Sequence, residues 1–243
     1  MDQIKTKAIV LRSTAYGDHD KILTLLGETT GKISVIAKGG SSLKHGAGCS
    51  NFCYSDFILI RKGDRLSMSQ VSPIEPFGGL SSDLDALNAA AKMLKFTEYV
   101  CPEGEPQSHL LRTLLNTLFA MANLKASPAK CEAVFYFKAL PLLGFSPELE
   151  ACSACGEENG LSTFSVEYGG ALCSDCAGSV EDKISVTSEA LAVMKYIAEC
   201  DIKKLFSFQL LLFLMIMPRC SPVREQKDLF LCSCKLYIFN ILK

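Results

Sequence analysis

Two C-x-x-C pairs constrain this chain more than any other feature of its sequence. Cys152 and Cys155 form the first pair, Cys173 and Cys176 form the second, and residues 156–172 separate them. Four thiolates satisfy the tetrahedral, soft-ligand preference of structural zinc and leave no position open for a catalytic water. The spacing therefore predicts one structural zinc ion. Two disulfides, or a chance grouping of small buried residues, are the alternatives.

The segment between the two pairs has the pattern of a hairpin. Residues 163–167 alternate like a short strand, and Gly169 and Gly170 supply a turn. Such a turn would bring Cys173 back beside Cys155. A closed four-thiolate site is structural, so by itself it indicates no function.

Twelve cysteines in 243 residues raise the question of secretion. Residues 1–5 (MDQIK) open no apolar run of the kind found in signal peptides, so we expect reduced thiols and a cytoplasmic protein. The longest apolar run, residues 210–217, is much shorter than the roughly 18 residues of a spanning helix. We therefore expect no association with a membrane.

Charge is distributed unevenly along the chain, although its formal total is only −1. Residues 1–80 carry ten Lys/Arg against seven Asp/Glu, whereas residues 152–186 carry one Lys against six Asp/Glu. A polyanion should therefore prefer the first region.

Residues 1–80 have the pattern of a small β-barrel. Five short apolar segments are separated by glycine-containing turns, with little room for helices, and the five-stranded oligonucleotide-binding (OB) barrel is the simplest fold of that class. The segments are residues 4–12, 22–26, 33–37, 57–60 and 66–71.

Basic residues of this region suit a phosphate backbone, because each contact with a phosphate releases counterions. Ordinary solvated strand faces are the alternative explanation of their charge. Four aromatic residues are candidates for stacking on bases, and burial in the core, which is more common for aromatics in strands, is the alternative: Tyr16, Phe52, Tyr54 and Phe57. The candidate DNA-binding residues are Arg12, Lys21, Lys32, Lys38, Lys44, Arg61 and Lys62.

Helical periodicity begins after residue 80. Ser82 and Ser108 are candidate caps of two helices, and Ser127 with Pro128 opens a third that Gly144 ends. We expect these three helices to form a bundle. Thr187 should cap a fourth helix, which returns to that bundle. The predicted buried positions are Leu84, Leu87, Ala91, Leu94 and Tyr99; Leu111, Leu114, Leu115, Leu118 and Ala122; Cys131, Val134, Phe135 and Phe137; and Leu191, Met194 and Ile197.

Several stretches together resemble the RecO family of bacterial recombination mediators. Residues 6–12 (TKAIVLR) and 16–22 (YGDHDKI) are similar to the family's opening strand and following loop. Residues 31–39 (GKISVIAKG) resemble its most recognisable strand and turn. Residues 142–149 (LLGFSPEL), with 164–176 (FSVEYGGALCSDC), match its approach to and return from the metal site.

The resemblance implies an α+β multidomain fold. Its parts are an OB barrel at residues 1–80, a helical bundle at 81–150, a zinc module at 151–186 and a returning helix at 187–210. It also implies binding of single- and double-stranded DNA, annealing of complementary strands, and loading of RecA together with RecR onto DNA covered by single-strand-binding protein. No bond is made or broken in these activities, so the chain is not expected to be an enzyme.

The sequence departs from the family pattern in two places. Residues 40–45 (GSSLKH) carry one lysine and one histidine where relatives carry several cations, which predicts weaker and less salt-sensitive DNA binding. Residues 211–243 lack the polar face of an amphipathic helix, and we hypothesise that they come from a shifted or degenerate reading frame. A family-like tail in another frame after codon 210 would be seen in the coding DNA, and its absence would exclude the hypothesis.

A zinc-ribbon adaptor that binds proteins instead of DNA is the rival interpretation. It is favoured if Lys32, Lys38, Lys44 and Arg61 are scattered, and disfavoured if these residues converge on one groove. A zinc hydrolase is disfavoured because four thiolates close the coordination shell.

Overall fold

A computed structural model describes residues 2–205, which form eight strands and five α-helices. Contacts divide the chain into two compact units, Met1–Pro128 and Ala129–Lys243. The strands are β1 Asp2–Tyr16, β2 Asp20–Gly27, β3 Gly31–Ala37, β4 Tyr54–Lys62, β5 Arg65–Glu75, β6 Leu161–Ser165, β7 Gly170–Cys173 and β8 Lys183–Ser185. The helices are α1 Leu84–Val100, α2 Ser108–Leu124, α3 Pro128–Leu142, α4 Ser188–Glu199 and α5 Ile202–Leu205.

The first five strands form a closed barrel in the order β1-β2-β3-β5-β4. β1 closes it because its first half pairs with β4, from Asp2 opposite Arg61, and its second half pairs with β2, as far as Tyr16 opposite Asp20. A register shift after Val10 lets the strand bend between its two partners. β3 and β5 pair in parallel. The predicted five-stranded OB barrel is confirmed.

Alternate residues of the strands fill the barrel. This alternation follows from the period of two along a strand, which places every second side chain on the inner face. The buried cluster consists of Ala8, Val10, Leu23, Leu25, Val35, Ala37, Cys49, Phe57, Leu59, Leu66 and Met68.

Two helices, α1 and α2, follow the barrel in the same unit, and the predicted caps of both are wrong. The Asp83 carboxylate accepts hydrogen bonds from the amides of Asp85 (2.8 Å) and Ala86 (3.3 Å) and so caps α1. The Ser82 hydroxyl instead donates to the Gly79 carbonyl in the preceding 3-10 turn. Ser108 is already the first residue of α2, whose cap position is Gln107 and has no side-chain hydrogen bond.

The buried face of α1 also differs from the predicted one. Leu94 is the one predicted position that is buried, whereas Leu84 is 72% exposed and Tyr99 is 68% exposed. Alanines form much of the buried face, a pattern that a search for large apolar residues overlooks. In α2 the predicted Leu111, Leu114 and Leu118 are buried.

The second unit contains α3, α4 and α5. The predicted buried residues of α3 and α4 are all confirmed. Thr187 caps α4, because its hydroxyl accepts a hydrogen bond from the Ala190 amide at 3.2 Å. Lys138 of α3 donates from its ammonium group to the carbonyls of Ala198 and Cys200 at the end of α4. The return of α4 to the other bundle helices stays a prediction.

Between α3 and α4 lies a small sheet in the order β7-β6-β8. β6 and β7 form the predicted hairpin, with Leu161 opposite Cys173 and Ser165 opposite Gly170. Gly169 has φ +68°, a left-handed conformation that glycine adopts without strain. Within residues 2–205, no helix combines the length and apolar character required to cross a membrane. The atypical residues 211–243 lie outside the described part of the chain.

Candidate metal centre and nucleic-acid interface

The first cysteine pair lies on a tight turn that follows α3. The Gly156 amide donates to the Cys152 carbonyl, and the Cys152 amide donates to the Glu157 carbonyl, both at 2.8 Å. Gly156 has φ +79°, which lets the chain reverse directly after Cys155. The turn therefore directs both thiols of this pair toward the same point.

The second pair approaches from the β6–β7 hairpin. Cys173 is the last residue of β7, and Cys176 begins a 3-10 turn. The Ser153 amide donates to the Ala171 carbonyl at 2.9 Å, which joins the two pairs through their backbones. All nine cysteines among the described residues are free thiols, so the disulfide alternative is not observed.

The four sulfur atoms lie within 4.8 Å of one another, and the Sγ atoms of Cys155 and Cys173 are 3.8 Å apart. A tetrahedral zinc site with Zn–S bonds of about 2.3 Å requires sulfur atoms about 3.8 Å apart. The geometry therefore fits a single metal ion with four thiolate ligands.

The electrostatics of the four thiols favour a cation. Burial opposes ionisation of Cys152, but amide donors of Cys173, Ala154 and Cys155 outweigh it and lower the thiol's pKa to about 6. Hydrogen bonds to the neighbouring thiols, first Cys155, raise the pKa of Cys176 to about 12. The Cys152 thiolate thus forms readily while ionisation of Cys176 is opposed, and a divalent cation bound by both would remove that opposition.

Carboxylates brace the backbone around these ligands. The Asp182 carboxylate accepts hydrogen bonds from the Ser165 hydroxyl (2.8 Å) and from the amides of Val166 (2.7 Å) and Glu167 (2.8 Å). The Glu148 carboxylate accepts hydrogen bonds from the amides of Glu150 and Ala151. These bonds, the one from Glu150 most of all, lower the pKa of the Glu148 carboxyl group. Sequence reasoning missed both residues, because an acidic residue in a loop gives no signal of its acceptor role.

At one end of the barrel, the structure brings three of the candidate cations into one region, here called the loop-end group: Lys21, Lys38 and Lys44. Lys21 of β2 lies opposite Ala37 of β3, and Lys38 follows directly. Lys44 belongs to the loop of residues 38–53 that leaves this end of β3. Lys38 and Lys44 are exposed, and Lys21 is half-buried.

The loop that carries Lys38 and Lys44 is hydrogen-bonded to the turn between β1 and β2. The Gly39 amide donates to the Asp20 carboxylate at 2.8 Å, and the Ser41 amide donates to the His19 carbonyl at 3.0 Å. Asp20 is therefore a positioning residue that sequence reasoning missed. The only signal for it was its place in the turn of residues 16–22.

Arg12 and Lys32 occupy a different place, at the end of α1. Arg12 forms an ion pair with the Glu98 carboxylate at 2.9 Å. The Lys32 ammonium group donates to the Glu98 carbonyl at 2.9 Å. Lys32 thus stabilises a carbonyl group near the helix C-terminus, Arg12 binds a side chain of the same residue, and both residues link the helix to the barrel.

Arg61 and Lys62 are exposed at the β4–β5 hairpin. Arg61 lies opposite Asp2 of β1 and Leu66 of β5, and Lys62 lies opposite Arg65. Lys32, Lys38, Lys44 and Arg61, whose convergence on one groove would favour DNA binding, therefore occupy three places, and only Lys38 and Lys44 share one of them. By that criterion alone, their scatter favours the protein-binding adaptor.

Of the four candidate stacking aromatics, Tyr16 alone is exposed. Phe57 is fully buried in the barrel, and the Tyr54 hydroxyl donates to the Glu28 carboxylate. Phe52 is half-buried and lines a shallow cavity of about 340 Å³ beside α1. Tyr16 is 56% exposed at the end of β1, beside the turn that is hydrogen-bonded to the lysine-bearing loop.

Comparison with known proteins identifies two family models along the chain. Residues 1–77 match the model described as recombination protein O N terminal, and residues 81–211 match recombination protein O C terminal. A DNA repair protein RecO from Acetivibrio thermocellus is 32% identical over 212 residues, which cover 86% of this chain and 84% of that protein. DNA repair protein RecO from Alkaliphilus metalliredigens is 34% identical, with 78% and 79% covered. The protein of that name from Pelotomaculum thermopropionicum is 35% identical, with 80% and 77% covered.

Proposed function

Because the chain belongs to the RecO family of DNA repair proteins, we propose that it is a DNA-binding recombination mediator of the RecF-pathway type. In this role it binds single- and double-stranded DNA and anneals complementary strands. With RecR, it helps to load RecA onto DNA that single-strand-binding protein covers. It acts without making or breaking a bond, in the bacterial cytoplasm at the nucleoid.

The observation that carries this proposal is the loop-end group on a closed OB barrel. Barrels of this class bind strands with basic residues that contact phosphates and with aromatic residues that stack on bases. Lys38 and Lys44 are exposed on a loop that Asp20 binds through the Gly39 amide, and Tyr16 is exposed at the end of β1, opposite Asp20. We therefore assign the principal phosphate contacts to Lys21, Lys38 and Lys44.

The other candidate cations receive smaller roles in this proposal. Arg61 and Lys62 are exposed at the β4–β5 hairpin and would contact a strand that runs past the barrel end. Arg12 and Lys32 already bind Glu98 at the end of α1, through an ion pair and a hydrogen bond. A contact with phosphate would compete with both.

We further propose that the four cysteines hold one structural zinc ion. The supporting observations are the sulfur distances and the soft ligand set, which suits zinc in a tetrahedral site. A zinc ion would fix about 35 residues that have too small a core to fold by themselves.

Binding of labelled single-stranded DNA, followed by fluorescence anisotropy, tests the proposed function. The K38E/K44E double variant should weaken binding by about tenfold or more, because two phosphate contacts become repulsive. The K5E/K7E variant is the matched control: both lysines are exposed on β1 and the change in charge is the same. It should bind almost as the wild type does.

Failure of the wild-type protein to bind DNA would contradict the proposal and favour the protein-binding adaptor. Equal losses in the two double variants would show that overall charge, and not the loop-end group, controls binding.

A further inference from the structure

A leucine is fully exposed at the tip of the loop that carries the basic residues. Leu43 lies between Ser42 and Lys44, and no part of its side chain is covered. Most large apolar side chains of this barrel are buried, and burial of a leucine stabilises a protein substantially. Full exposure at this place therefore forgoes stability in the free protein.

The loop holds Leu43 in a defined turn. The Ser42 amide donates to the Gly39 carbonyl at 2.9 Å, and the Ser42 carbonyl accepts from the amides of His45 (3.2 Å) and Gly46 (2.7 Å). Hydrogen bonds of the loop to His19 and Asp20 fix its base. Leu43 is thus presented by a turn that is hydrogen-bonded on both sides.

An aromatic ring and several cations lie in the segments that meet at the base of the loop carrying Leu43. Tyr16 is more than half exposed at the end of β1, opposite Asp20, which binds the loop through the Gly39 amide. The nearby charges are Lys21, Lys38 and Lys44 against Asp18 and Asp20, and the Asp20 carboxylate is occupied by the Gly39 amide. An apolar side chain, an aromatic ring and cations together complement a strand that exposes both phosphates and base faces.

We infer that Leu43 is a wedge that inserts between adjacent bases of single-stranded DNA, while Tyr16 stacks on a neighbouring base. Apolar wedges separate stacked bases in other DNA-binding proteins, and aromatic rings bind bases regardless of sequence. This inference rests on the proposed function and adds to it two residues that contact bases. Single strands are the preferred ligand, since a duplex keeps its base faces covered.

A single-stranded oligonucleotide that contains 2-aminopurine next to adenines tests the inference, because stacking quenches the fluorescence of this base. Saturation with the wild-type protein should increase the fluorescence. Leu43→Ser should remove about half of that increase or more and weaken binding by about fivefold or more, as expected when a base contact is lost. The salt dependence of binding should not change, because no phosphate contact is lost. Tyr16→Ser should weaken binding similarly.

The matched controls are Leu84→Ser and Tyr99→Ser, which replace exposed residues of the same types in α1, far along the chain from the loop. Both should bind DNA and increase the fluorescence as the wild type does, and thermal melting should show all four variants folded. Leu43 contacts no core residue, so its replacement should leave the melting temperature unchanged.

The possible failures are distinguishable. If the wild type binds DNA but Leu43→Ser changes neither affinity nor fluorescence, the inference is overturned and the proposed function stands. If the wild type binds no DNA, both are overturned. If Leu43→Ser affects only self-association in sedimentation experiments, the surface joins two copies of the chain and the wedge is excluded.

Discussion

At the scale of single residues, Cys155 and Cys152 show how different the four ligands of the metal module are. Cys155 is exposed, whereas Cys152 and Cys173 are buried within the small core of the module. Cys152 and Cys173 contribute to packing as well as to the candidate metal site. Cys155 therefore offers the cleanest substitution for testing the proposed zinc ion.

We expect Cys155→Ser to lose stoichiometric zinc, because a serine hydroxyl is a poor ligand for a soft site. The module should then melt at a lower temperature, while affinity for DNA changes less than about twofold, since the loop-end group lies in the other unit. Elemental analysis, circular dichroism melting and anisotropy measure these effects. Cys200→Ser is the control, since Cys200 is a free thiol outside the group of four. Loss of DNA binding with unchanged melting would contradict the structural assignment.

At the scale of secondary structure elements, hydrogen bonds between an element and the preceding or following loop decide where it begins and ends. Asp83 and Thr187 cap α1 and α4, and Asp182 binds the turn after β6. Gly170 lets two backbone segments lie close together, because a Cβ atom at this position would be 2.4 Å from the Glu148 carbonyl oxygen. We therefore expect substitution of the capping residues or of Gly170 to destabilise the fold.

Thr187→Ala should destabilise the second unit by about 1 kcal/mol, the usual cost of removing a helix cap. Urea denaturation followed by circular dichroism measures this difference. Ser188→Ala is the control, because Ser188 is the exposed neighbour within α4 and is not the cap. An unchanged midpoint for Thr187→Ala would show that the hydrogen bond to Ala190 contributes nothing.

At the scale of the whole molecule, charge is segregated between regions of the chain. The metal module is acidic and the barrel is slightly basic, so the total of −1 conceals a local preference for polyanions. Only three of the candidate cations share the loop end of the barrel. The proposed interface would therefore lose few phosphate contacts when salt is added.

We expect the logarithm of DNA affinity to fall with the logarithm of salt concentration with a slope between about −2 and −3.5, corresponding to about three to five phosphate contacts on a single strand. Anisotropy titrations at several salt concentrations measure this slope. A slope of about −4 or steeper, equivalent to roughly six contacts, would contradict the expectation. The K38E/K44E variant should show a shallower slope than the wild type.

Much of the architecture follows from local sequence. The cysteine spacing, the hairpin between the pairs, the five strands and the Thr187 cap all depend on residues within one turn or one strand, and each is observed. The cap of α1 was misplaced by one residue, because Ser82 and Asp83 are both good caps and only the 3-10 turn before them decides between them. The predicted face of α1 is rotated away from the buried one, which includes Met93 and Phe96, because the exposed Leu84 and Tyr99 set the predicted phase and the buried alanines add little apolar signal.

The sequence by itself determined that the chain holds a four-thiolate site and a small barrel, because metal-ligand spacing and alternation are local patterns. The tertiary structure alone decided which lysines lie at the same end of the barrel. Barrel closure pairs β1 with both β4 and β2, and these long-range contacts place Arg12 and Lys32 at α1 but Lys38 and Lys44 at the loop end. A lysine's charge is visible in the sequence, whereas its neighbours depend on strand pairing across the whole barrel.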